Sequence, residues 1–129
     1  MICNGTNKWT STYAIQVYDG VGYAINNCKC SGANAALLVN GATATVNNID
    51  VSDNTFGGIE VSKGSAATNA SALTVAGTIT NTTEAYGKPT IWIDGVDAGN
   101  TVVADGLFSS SSIKADQIQY YLVESNMSE

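Results

Sequence analysis

The stretch "NTFGGIEVSKG", Asn54 to Gly64, contains a short strand-like run, Ile59-Glu60-Val61, with apolar residues at alternate positions and a glycine just beyond it. The same run returns as "AIQVYDG" from Ala14, "ALLVNG" from Ala36 and "TIWIDG" from Thr90. Laid over one another, these put Ile15, Leu37, Ile59 and Ile91 in one column and Val17, Val39, Val61 and Ile93 in the next. The first three copies are 22 residues apart, and the fourth lies 32 residues after the third. Extra length in a repeat array maps to loops, so the insertion is expected in "SKGSAATNAS" or "NTTEAYGK".

A second alignment interleaves with the first. "INNCKC" from Ile25 matches "VNNIDV" from Val46 at a spacing of 21, and "LTVAGTIT" from Leu73 follows more loosely. Each period therefore holds two strands. Alternation with period two puts the apolar members of a strand on one face. A period of roughly 20 to 25 residues with two strands is what one coil of a parallel β-solenoid needs, with residues one period apart stacked at about 4.8 Å. An antiparallel sandwich also has short alternating strands and glycine turns, but it does not require a register that keeps Ile over Leu over Ile. The expected fold is all-β, a parallel β-helix of about four to five coils.

The stretches "GGIEVSKG", "AIQVYDG", "VNNIDVSDNTFGG" and "PTIWIDG" give the chain, from about Tyr13 to Gly106, a pattern that resembles the right-handed parallel β-helix of the pectate-lyase-like superfamily. "NTFGGIEVSKG" and "NTTEAYGKPTIWIDG" also look like segments of uncharacterised surface proteins of Gram-positive gut bacteria. The resemblance implies a right-handed coil and a bacterial extracellular or cell-surface setting. It does not imply one activity, because that superfamily holds lyases, hydrolases, tailspikes, adhesins and non-catalytic repeats. One domain spans 1–129: a partial first coil at 1–12, repeats at 13–106 and a non-repeat cap at 107–129, in which "IQYYLVES" reads as a final strand. The chain is expected to be a fragment of a larger protein.

Composition narrows the function. Five lysines, no arginine and no histidine stand against eleven acidic residues, for a net charge of −6. Such a field repels phosphate backbones and anionic lipid, so neither nucleic acid nor membrane insertion is expected, and no apolar run approaches the roughly 20 residues of a membrane helix. The start, "MICNGTNKW", lacks the pattern of a secretory signal. Without histidine or arginine, the commonest general base, metal ligand and anion clamp are missing.

The three cysteines do not suggest a metal site. Cys28 and Cys30 fall in the columns of Ile49 and Val51, which turns both inward as small buried hydrophobes, and with Cys3 they supply three ligands where structural zinc takes four. Cys3 is not expected to approach either of them. No cofactor is expected. The paired asparagines Asn26, Asn27, Asn47 and Asn48, with Asn54 and Asn81, read as turn ladders whose amides satisfy one another and the backbone. "DGVDAGN", with Asp94, Asp97 and Asn100, reads as a turn rather than a calcium loop. Trp9 reads as a core plug.

The outward columns beside the first strand run Gln16, Leu38, Glu60, Trp92 and then Tyr18, Asn40, Ser62, Asp94. Paired carboxylates are the remaining route to catalysis, and Glu60 and Asp94 come within the about 5 to 9.5 Å of a glycosidase pair if their coils are neighbours. They sit in different columns, and the basic partners used by the hydrolases and lyases of the resembled superfamily are absent, so no catalysis is expected. Trp92, between two core-facing isoleucines, must face outward. Its indole is then covered either by Tyr120 and Tyr121 of the tail or by a sugar ring stacked beside Glu60, Asp94 and Tyr18. The sequence thus points to a structural or adhesive β-helix module whose partner is a glycan or a host or cell-surface protein. The competing reading is a fragment of a polysaccharide-active enzyme; an ice-binding surface would want regular outward threonine columns, and "TAT" at Thr43 to Thr45 stands alone.

Overall fold

A computed structural model describes residues 2–4, 12–64, 66–83, 89–93, 99–103 and 118–120. Among these there is no helix. Ten strands follow one another: β1 (Ile2–Asn4), β2 (Tyr13–Tyr18), β3 (Tyr23–Ser31), β4 (Ala35–Asn40), β5 (Thr43–Asp50), β6 (Gly57–Ser62), β7 (Ala72–Thr80), β8 (Ile91–Ile93), β9 (Thr101–Val103) and β10 (Ile118–Tyr120). Odd-numbered strands form one five-stranded sheet in the order β1-β3-β5-β7-β9, and even-numbered strands form a second in the order β10-β8-β6-β4-β2. Every pairing is parallel.

The register reproduces the columns expected from the sequence. Ile15 pairs with Leu37, Leu37 with Ile59 and Ile59 with Ile91, while Val17, Val39, Val61 and Ile93 pair in the same succession. Ile25 lies beside Val46 and Cys28 beside Ile49. The looser copy also falls into place, with Leu73 beside Ala44 and Val75 beside Val46. The tail adds a further strand to the second sheet, where Ile118 takes the position next to Ile91. Side chains from both sheets join in one buried cluster that includes Leu37, Ile59 and Ile91 from one sheet and Val46, Leu73 and Ile79 from the other. The core therefore lies between the sheets, where burying these aliphatic side chains stabilises by roughly 1.5–3 kcal/mol each.

The registers also locate the insertion. Asn40 pairs with Ser62, 22 positions on, whereas Thr43 pairs with Ala72, 29 positions on. Most of the extra length therefore lies in residues 63–71, within "SKGSAATNAS". The offset reaches 30 at Ile49 and Ile79, across a register shift in β7, and 32 at Ile59 and Ile91.

Strict period-two alternation does not hold along β3 and β5. Ile25 and Cys28 are three positions apart, yet both are buried, as are Val46 and Ile49. Between them stand Asn27 and Asn48, each with φ near 56°, and Gly77 follows at φ 70° in β7. A left-handed residue inserted in the strand turns the chain by one position, so two apolar residues three apart both face the core. Asparagine is among the few non-glycine residues that accept this conformation readily. The Asn48 amide also donates to Asn27 Oδ1 at 3.2 Å, giving one rung of the expected ladder.

Candidate functional site

Strand β6 begins with two glycines, Gly57 and Gly58, for a steric reason. Gly58 N donates to Pro89 O at 3.0 Å and Ile59 N to Thr90 O at 2.8 Å, which draws the next repeat's backbone close against Gly57 and Gly58. A Cβ on Gly57 would collide with Pro89 O and stand 3.1 Å from Cζ3 of Trp92, and Gly57 has φ 146°; one on Gly58 would collide with Thr90 O. The indole of Trp92 thus lies over the start of β6.

Ile91 and Ile93 belong to the core cluster, so alternation sends Trp92 to the opposite face of the second sheet. That face is covered. Trp92 is 8% exposed, Glu60 beside it 4% and Leu38 beside Glu60 2%. Two sets of contacts on this sheet are visible among the described residues. The Tyr13 hydroxyl of β2 reaches past β4 and donates to Glu60 Oε2 in β6 at 2.6 Å. The inserted segment folds over the end of β4: Gly64 N donates to Asn40 Oδ1 at 2.7 Å, and a Cβ on Gly41 would collide with that of Ala67. The same segment reaches β2's turn, where Thr68 donates to the Asp19 carboxylate from its backbone N at 3.2 Å and its hydroxyl at 2.8 Å.

Of the four residues expected to flank a ligand, the structure brings Trp92 and Glu60 together and buries both. Tyr18 is 43% exposed and stands in the Asn40 and Ser62 column, near the sheet's open edge. Asp94 lies outside the described residues, as do Asp97, Trp9 and Tyr121, and the side chain of Tyr120. A tryptophan this buried presents no indole face to a sugar ring. Tyr13, which the sequence did not single out, supplies the hydrogen bond to Glu60; the two are 47 positions apart and belong to different columns, so no repeat signal links them.

The remaining polar groups serve the turns. Asn54 Nδ2 donates to the carbonyls of Val51, Cys30 and Ser52 at 2.9, 3.0 and 3.2 Å, and its Oδ1 accepts from Ala33 N at 3.1 Å. Asn100 Oδ1 accepts from Ser71 N at 2.7 Å, and the Asn81 amide donates to Thr90 Oγ1 at 3.1 Å. Ser71 Oγ accepts from Gly41 N at 2.6 Å and donates to Ser62 O. Asp50 Oδ1 accepts from Ser52 N at 3.0 Å. An open groove on the first sheet, lined by Cys28, Asn48, Ile49, Asp50, Thr78 and Thr80, lies apart from Trp92 and Glu60. Among the described residues no group of three or more Cys, Asp or Glu side chains is placed to hold a metal ion, and no helix is long and apolar enough to cross a membrane.

The expectation that Cys3 would stay away from the other thiols is corrected. β1 pairs with β3 in a register that puts Cys3 directly beside Cys30. Their separation of 27 positions differs from the 21- and 22-residue spacings of the aligned repeats, which is why the repeat did not reveal it.

No protein-family model matches the chain, no curated protein matches it and no solved structure matches it.

Proposed function

We propose that the chain is a non-catalytic module of a bacterial extracellular or cell-surface protein, built as a right-handed parallel β-solenoid of the pectate-lyase-like type and serving as a structural or adhesive element. The observation that carries the reading is where the polar side chains are spent. Asn54, Asn100, Ser71 and Asp19 each bond a neighbouring repeat or turn, and Glu60 is bonded by Tyr13 on a covered face. A hydrolase needs carboxylates converging where a sugar reaches them; those of Glu60 and Asp19 bond within the scaffold instead. Parallel strands whose apolar columns continue from repeat to repeat support the solenoid part of the reading.

The test is to incubate the chain with a panel of plant and host polysaccharides while following new reducing ends, unsaturated products and tryptophan emission. No turnover is expected, together with no Trp92-dependent change in emission; glycan adhesion elsewhere on the surface is read separately by retention on immobilised polysaccharide. Release of oligosaccharides would overturn the non-catalytic reading. A saturable emission change lost in Trp92→Phe would move the reading to glycan recognition on the second sheet.

A further inference from the structure

Cys3 and Cys30 occupy directly paired positions on adjacent parallel strands. Neighbouring strands lie about 4.7–4.9 Å apart, inside the Cα separation of about 4.4–6.8 Å that a disulfide spans and within a few tenths of an ångström of the roughly 4.5 Å upper end of its Cβ separation, a gap that a small rotation of the edge strand closes. The other two pairings do not fit. Cys28 and Cys30 are two positions apart on one strand, so their parallel Cα–Cβ bonds keep the Cβ atoms roughly 6.7 Å apart where a disulfide needs about 3.5–4.5 Å. Cys28 is one strand over and two positions along from Cys3, which puts their Cα atoms about 8 Å apart. Cys28 is also engaged, its thiol donating to Asn26 O at 3.2 Å.

We propose that Cys3 and Cys30 are a disulfide site that fastens the first strand to the sheet when the chain meets a disulfide oxidant. Cys28 keeps its thiol, and the bond between Cys3 and Cys30 forms by exchange. The Cys3 thiolate attacks a small-molecule disulfide, RSSR, forming a mixed disulfide and releasing one RSH. The Cys30 thiolate then attacks the Cys3 sulfur and releases the second RSH, so that the two cysteine protons end on the two RSH molecules. Among the described residues β1 is the edge strand of its sheet and pairs with β3 alone; its parting from β3 gives the oxidant access to a site where Cys30 is fully buried. The proposal stands independently of the module's role at the cell surface.

The sequence provides a clean readout, because lysines at 8, 29 and 63 let trypsin separate all three cysteines. The folded chain is equilibrated with oxidised glutathione, then unfolded, alkylated and digested without reduction. The expected product joins peptide 1–8 to peptide 30–63 and leaves one alkylated thiol, on Cys28. Cys28→Ser should give the same product, and Cys3→Ser should abolish it. The cross-linked chain should melt several degrees higher than the reduced chain. The same oxidation in concentrated guanidinium should lose this selectivity, because the register is gone. Three alkylated thiols after oxidation of the folded chain, or a link from 1–8 to 9–29, would overturn the proposal. Wild-type protein alone distinguishes these outcomes, so a variant that fails to fold does not obscure them.

Discussion

The two sheets are built from the same repeats, yet their outer faces differ. Along β5 and β7 of the first sheet buried and accessible residues interleave, and the outward column Ala24, Thr45, Thr74 and Val103 is exposed. In β4, β6 and β8 of the second sheet every residue is buried. The repeat fixes which side chains face inward, because the inner columns must fit their neighbours above and below. What lies outside is decided by parts that do not repeat: the Tyr13 side chain, the Trp92 ring and the inserted segment 63–71.

That contrast is broken most directly by truncating outward residues on both sheets. Trp92→Ala and Leu38→Ala should destabilise by about 3–5 and 2–5 kcal/mol respectively, the ordinary cost of emptying a packed core position. Thr45→Ala and Thr74→Ala, at outward positions of the first sheet, should stay within about 0.5 kcal/mol of wild type. Denaturant unfolding of the four variants, read as midpoint shifts at constant slope, makes the comparison. Similar small shifts for all four would mean that the second sheet's outer face is open in solution.

The junction between the sheets should respond at an intermediate level. Asn54 sits where the chain leaves β5 for β6, and its amide serves three carbonyls and one backbone N–H. Asn54→Ala should cost about 1–3 kcal/mol, because buried peptide groups lose their partners. Asn54→Asp should cost more at neutral pH, since it sets a carboxylate oxygen against carbonyl oxygens. An effect of Asn54→Ala near zero would mean that solvent reaches this turn.

These sites also mark how far the sequence could be read. The inner columns were legible because Ile, Leu and Val recur at fixed spacing and strand pairing turns spacing into contact. The role of Asn54 in a turn was legible for the same reason. The partner of Glu60, beside Trp92, was not: the Tyr13–Glu60 bond crosses two repeats between different columns. The place of Cys3 was hidden because a 27-residue offset precedes the regular array. The bends at Asn27 and Asn48 were half visible, as a repeated Asn-Asn pair whose backbone conformation no apolar pattern reports.

That bend gives the smallest and most discriminating test. Asn48 adopts φ 56°, donates to Asn27 and accepts from Thr78 N at 3.2 Å, all on the exposed side of the first sheet. Because these bonds face water, their loss alone should be worth little. The left-handed backbone matters more, costing alanine roughly 1–2 kcal/mol and glycine almost none. Asn48→Gly should therefore be more stable than Asn48→Ala, the reverse of the usual order inside a strand, and Asn48→Val should be worse than both despite its strand preference. The ordinary order, valine over alanine over glycine, would mean that β5 runs straight through Asn48. Val46 and Ile49 would then face opposite sides, and the shared core of the two sheets would lose one of its columns.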